Sequence, residues 1–220
     1  WHLGWDWPIG EGERKYLAGL GGKAGGGGTD LATAVTDAHR AAWQRIFSQP
    51  VAGGPTARGF DTYFGTDVPN WPPYCFIEND RTVGIPSGFL PAGLLKPGGN
   101  LASQPGPALP GWKLEAILPT LADRACDFIG RAAKGPEPFF LYLPLTAPHT
   151  PLAVNEAWRG RSGLDNAYAD FVMETDDVVG RVLAALERSG AAGRTLVLFT
   201  SDNGCAQYIG ARDLEAAGHF

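Results

Sequence analysis

Two short apolar runs with a long helical segment between them constrain this chain more than any other feature. Residues 139–143 read Phe-Phe-Leu-Tyr-Leu and are fenced by Pro138 and Pro144. Residues 195–200 read Thr-Leu-Val-Leu-Phe-Thr, apolar on both faces of the strand they would form. Both runs are too short for a helix, and their aromatic and β-branched content favours strands. Between them, over residues 166–188, Ala167, Phe171, Val178, Val182, Leu183 and Leu186 share one helical stripe, and Gly190 follows as a stop. Strand, long crossover, strand is a βαβ pattern, which makes the two strands parallel and helix-covered. A further helix is expected over residues 114–133, where Leu118, Leu121, Ala122, Ala125, Phe128 and Ile129 recur at helical spacing. Pro119 sits in its first turn. The expected fold class is α/β, a mostly parallel sheet with helices on both faces.

Upstream the pattern loosens. The chain has 31 glycines and 18 prolines, about a fifth of its 220 residues, where average usage is nearer an eighth. Much of that excess lies in a Gly-rich loop over 19–30 and an irregular, loop-rich region over 50–112. The regular α/β portion runs over 113–204. Gly22-Lys23 is followed by Ala24 and preceded by no apolar strand, so the Gly-rich run reads as a linker and not a phosphate loop. A short helix is expected over residues 36–47, with Val35, Ala38, Ala42, Ile46 and Phe47 on one face and His39 at the surface. The cluster Trp71-Pro72-Pro73-Tyr74 reads as a packed loop.

Several classes are disfavoured. With 44% hydrophobic residues the chain can bury a core, so wholesale disorder is not expected. A net charge of −5 argues against a nucleic-acid partner, and no apolar run reaches the ~20 residues of a membrane span. Cys75, Cys126 and Cys205 form no CxxC pair and no zinc pattern; the sequence does not decide whether any joins a disulfide. The chain starts at Trp1, and Met173 is its only methionine, which reads as a fragment lacking sequence at both ends.

Ligands of open α/β sheets gather beyond the carboxyl ends of the strands. After the first run comes Ala147-Pro148-His149-Thr150-Pro151, and after the second Ser201-Asp202-Asn203-Gly204. Asp202 and Asn203 offer hard oxygens suited to Ca²⁺ or Mg²⁺. Pro148 and Pro151 restrict the backbone around His149, which suits an imidazole held as a proton donor or anion partner. On residue types alone, Asp-Asn-Gly also reads as a simple turn and His149 as a structural loop residue. If the strands are neighbours, the two clusters face one crevice.

Four stretches in order carry a resemblance: Trp1-His2-Leu3-Gly4, the loop from Arg58-Gly59-Phe60-Asp61 to Phe64-Gly65, residues 138–152, and residues 196–204. Together they resemble the sulfatase family of the alkaline-phosphatase-like fold, with residues 1–220 as part of one catalytic domain. The resemblance implies hydrolysis of a sulfate ester, small-molecule or glycan, by a formylglycine gem-diol beside a divalent cation, Ca²⁺ above all. It implies Asp202 and Asn203 as metal ligands, and His149 as the histidine that contacts the sulfate and protonates the leaving oxygen. His2 becomes the histidine beside the formylglycine, while His219 has no counterpart. It also implies a formylglycine-generating enzyme as partner and a periplasmic, secreted or lysosomal location.

The family's C-x-P-x-R nucleophile segment and its N-terminal Asp-Asp pair are absent here, and Cys75, followed by Phe76-Ile77, is no substitute. The 220 residues alone are therefore expected to be inactive. Two other functions stay open: a phosphodiesterase or phosphonate monoester hydrolase of the same superfamily, and a non-catalytic binding module on a decayed scaffold.

Overall fold

A computed structural model describes residues 4–17, 35–95, 103–205, 214–215 and 218. The chain divides into two compact units, Trp1–Leu114 and Glu115–Phe220.

In the first unit, helix α1 spans Asp37–Phe47. Its apolar face is rotated from the expected one. Ala38 is exposed, while Trp43 and Ile46 are fully buried and Ala42 and Phe47 nearly so. Indole burial decides this, since Trp43 both carries the largest apolar surface and reaches a half-buried main-chain acceptor, Tyr16 O, at 2.8 Å. His39 is half-buried where a surface position was expected. It stands edge-on to Tyr16 and Trp43, and its Nδ1 accepts the Thr36 backbone N–H at 3.2 Å. It thus takes the place of the Glu or Gln of a capping box.

Around α1 the loop-rich region folds into two small antiparallel sheets. One joins β1 (Phe64–Gly65), β2 (Ile77–Glu78) and β3 (Arg81–Thr82) in that order. The β2–β3 turn places Asn79 at φ 56°, a left-handed position that Asn tolerates. The other pairs β4 (Gly88–Leu90) with β5 (Gly106–Ala108). Tyr74 is buried, its hydroxyl donating to Gln104 O at 2.5 Å, whereas Trp71 is half-exposed.

In the second unit, α2 (Ile117–Ala132) and α3 (Ala167–Arg188) pack against each other. Helix α2 follows a 3₁₀ turn at Leu114–Ala116 and buries Leu118, Leu121, Ala122, Ala125 and Ile129. Helix α3 starts on the Asn166 side chain, which accepts the Tyr168 and Ala169 N–H groups at 2.9 and 3.2 Å. It ends before Gly190 at φ 71°.

The stripe of α3 departs from expectation at several positions, and Ala167, expected on it, is exposed. Leu183 is 42% exposed, while Asp170 and Glu174 are buried on the same face as Phe171 and Val178. Those carboxylates go inward because backbone N–H groups of the adjoining loop meet them there.

Among the described residues no ladder joins 139–143 to 195–200, so the parallel sheet is not shown. The first run alternates as a strand should. Phe139 and Leu141 pack on Ile129, Ala185, Leu186 and Ala191, while Phe140 and Tyr142 face outward at 76% and 58% exposure. The second run, expected to be buried on both faces, is exposed, with Leu196 at 84% and Phe199 at 79%. A parallel strand is buried by flanking strands and by helices on both sides, and the described residues supply no such flanking strand.

Candidate active site

The expected site residues divide sharply. His149 and the pair Asp202/Asn203 are described, in the second unit; His2 and His219 lie outside the described residues.

His149 is exposed at the end of the first run, and its Nδ1 lies 2.5 Å from Thr150 O. A ring nitrogen so close to a carbonyl oxygen donates to it, so Nδ1 carries the hydrogen and Nε2 faces outward. The backbone after it is packed in: Thr150 is 2% exposed, and Pro151, Leu152 and Val154 are buried.

Asp202 and Asn203 are exposed in the bend after the second run, where Ser201 Oγ donates to Asn203 O at 2.7 Å. One carboxylate and one amide oxygen fit a hard divalent cation in kind but supply only part of the six to eight oxygens that Ca²⁺ takes. Among the described residues no group of three acidic, His or Cys side chains converges to complete such a shell.

A single hydrophobic cluster takes in residues on both sides of the His149 tip and Cys205 just after the second. Leu118 and Ala122 of α2, Leu152 and Val154 of the His149 loop, and Phe171 and Val178 of α3 form it, with Leu145, Ala147, Tyr168 and Cys205 packed around it. Ala147 and Leu152 bracket His149, and Cys205 lies two residues beyond Asn203. Tyr168, near the start of α3, and Cys205, at the end of the second tip, both pack on this cluster, and burial pushes the Tyr168 phenol above its ordinary pKa. A shallow cleft of about 690 Å³ elsewhere, lined by Asp123, Cys126, Arg181 and Arg188 among others, touches neither tip.

The loop after His149 hangs on α3 through the two buried carboxylates. Glu174 Oε2 accepts the Asn155 N–H at 2.9 Å, and Asp170 accepts Gly160 N–H at 2.7 Å and Ser162 N–H at 2.9 Å. Their acidities move in opposite directions. Burial raises Glu174, and the charge of Asp177 adds to this, against the Asn155 hydrogen bond. At Asp170 burial also pushes upward, but the Ser162 and Gly160 donors outweigh it and the carboxyl ends below its ordinary value. Sequence reasoning passed over both residues, although the signal was present: acidic side chains four apart, interrupting an apolar helical stripe.

The sulfatase family model matches residues 41–219. The chain belongs to the sulfatase family. Its relatives include N-acetylgalactosamine-6-sulfatase of Sus scrofa, 45% identical over 82 residues, which are 37% of this chain and 16% of that protein. Steryl-sulfatase of Mus musculus is 43% identical over 99 residues, 44% of this chain and 15% of the relative. This sulfatase chain thus aligns with about a sixth of the length of these relatives. A solved structure from work on the metabolism of multiple glycosaminoglycans by Bacteroides thetaiotaomicron superposes with a TM-score of 0.55. It shares 22% identity and covers 66% of this chain and 36% of that one, a likeness of fold.

Proposed function

We propose that this sulfatase chain forms part of a sulfuric ester hydrolase, with residues 1–220 inside one catalytic domain and His149, Asp202 and Asn203 in its active site. The observation that carries the reading is the common cluster, which takes in residues on both sides of His149 and Cys205 just after the oxygen-donor loop. The inward–outward alternation of residues 139–143 supports that run as a strand, and the reading makes it and residues 195–200 neighbouring parallel strands of the complete sheet. Helices α2 and α3 would then cover one face of that sheet.

In this reading Asp202 and Asn203 hold a divalent cation, for which their hard oxygens suit Ca²⁺ or Mg²⁺ alike, and the family resemblance favours Ca²⁺. Such an ion neutralises charge on sulfate oxygens and holds the nucleophile when bound. Exposed His149 delivers a proton to the departing alcohol oxygen through Nε2, since Nδ1 is committed to Thr150 O. His2 assists at the nucleophile, a formylglycine outside these residues that is installed by a formylglycine-generating enzyme. The named relatives act on an amino-sugar sulfate and a steryl sulfate, so the shared element is the sulfate ester and not the alcohol it caps. A secretory destination, periplasmic, extracellular or lysosomal, accompanies the reading.

The test uses the longer enzyme that contains this chain, assayed on sulfate esters and on phosphate diesters. Sulfate-ester hydrolysis that requires a divalent cation is expected, with Asp202→Ala and His149→Ala each lowering kcat about a hundredfold or more. Preference for the phosphate diester, or full activity in both variants, would remove the assignment. The 220 residues alone are expected to turn over no sulfate ester.

A further inference from the structure

Beyond that assignment, we infer that Asp170 and Glu174 of α3 are positioning residues for His149: they fix the strap of backbone that follows it and thereby set where the imidazole stands. The inference rests on His149 being the proton donor proposed above.

The geometry lies wholly within the second unit. Asp170 and Glu174 are four residues apart on α3, on the face that also carries Phe171 and Val178, and are only 6% and 3% exposed. Ionised carboxylates on an apolar helix face are unfavourable unless donors meet them. Here the donors are main-chain amides of one loop. Glu174 takes the Asn155 N–H, and Asp170 takes those of Gly160 and Ser162, so one helix turn holds the strap at three points.

The strap is tied from within as well. Asn155 Oδ1 accepts the Ala157 N–H at 3.1 Å, starting the 3₁₀ turn at Glu156–Trp158, and Arg159 Nε donates to Val154 O at 3.1 Å. Between Asn155 and the imidazole there is little slack. Val154, Leu152, Pro151 and Thr150 are all buried, and Pro151 fixes one of the intervening φ angles. Displacing the anchored amide therefore displaces the ring. A catalytic group moved by about 1 Å by a remote change can cost as much as a hundredfold in rate.

A residue that only aids folding and one that aims a proton donor differ in one readout. Proton delivery matters most for a poor leaving group and least for an activated aryl sulfate whose phenolate departs unaided. In the full enzyme, Glu174→Met removes the acceptor at nearly constant size, Glu174→Gln keeps an acceptor oxygen, and Asp170→Asn removes one of the two acceptors at its position. Glu174→Met and Asp170→Asn should lower kcat roughly tenfold or more on an alkyl or sugar sulfate. Both should change it severalfold less on nitrophenyl sulfate, with KM held. Glu174→Gln should restore the parent pattern, and His149→Ala should show the same leaving-group dependence, enlarged.

If His149→Ala has that dependence but folded Glu174→Met and Asp170→Asn lack it, the positioning role is wrong while the hydrolase assignment stands. If His149→Ala itself lacks it, the proton-donor reading fails first. Should Glu174→Met not fold, Asp170→Asn decides by the same criterion.

Discussion

The two tips proposed to share one site are built differently. The His149 tip is braced by the protein, with Thr150, Leu152 and Val154 buried on either side of Pro151 and the strap beyond tied to α3 at three amides. The Asp202 tip is exposed from Leu196 to Gly204, and Cys205 is the first residue after it that reaches the cluster. The contrast fits the roles proposed above for the two groups. A proton donor works only if its ring is already aimed, so its order must come from packing. A metal ligand is ordered by the cation it binds and by the other donors around that cation, so its own loop can stay open to water.

The largest test of this contrast removes the shared foundation. Phe171 is 5% exposed in the cluster that flanks His149 and takes in Cys205, and Phe171→Ala should destabilise the protein by about 3–5 kcal/mol, measured by denaturant unfolding. A loss below ~1 kcal/mol would mean that the two loops do not share a core.

A second test separates the tips by amide exchange in the full enzyme. A saturating divalent cation, at a hundred times its Kd, should slow exchange at residues 201–204 by up to about 2.7 kcal/mol of opening free energy. Residues 152–155 should change little, because α3 already holds them. Equal protection of both segments would show that the His149 tip also depends on the cation for its order.

How much of this was legible in the sequence depends on whether the deciding partner was local. Helix α3 could be read because most of its stripe and the Gly190 stop lie within one local stretch. The rotated face of α1 could not, because Trp43 is turned inward by the Tyr16 carbonyl, 27 residues away. Residues 195–200 were read as buried from composition alone. Composition reports what a strand demands of its surroundings, and the described residues do not provide those surroundings. At the site, His149, Asp202 and Asn203 stood out by residue type and by place. Asp170 and Glu174 did not, because a carboxylate on a helix is by default a solvated one. Only the Asn155, Gly160 and Ser162 amides turn them into anchors.

The smallest effect, and the one that probes the braced tip most finely, is the pH dependence of those anchors. Asp170 has a folded-state pKa below its ordinary value, because the Ser162 and Gly160 donors outweigh burial. It therefore contributes stability above the ordinary aspartate range, near pH 4, and that contribution drains away as pH falls through the lower folded value. Glu174 has the opposite sign. Burial, and then Asp177, raise its pKa, so its contribution is complete below the ordinary glutamate value and is lost as pH rises through the raised one. Asp170→Asn should accordingly cost about 1–3 kcal/mol at neutral pH and progressively less on acidification. Glu174→Gln, which replaces an ionised buried group by a neutral acceptor, should be neutral or stabilising at pH 7 and lose that advantage towards pH 4. Thermal unfolding of the two variants across roughly pH 2–8 checks both slopes, Asp170 below about pH 4 and Glu174 above it. Parallel slopes would mean that the carboxylates share one environment, and the strap would then hang on α3 by shape and not by charge.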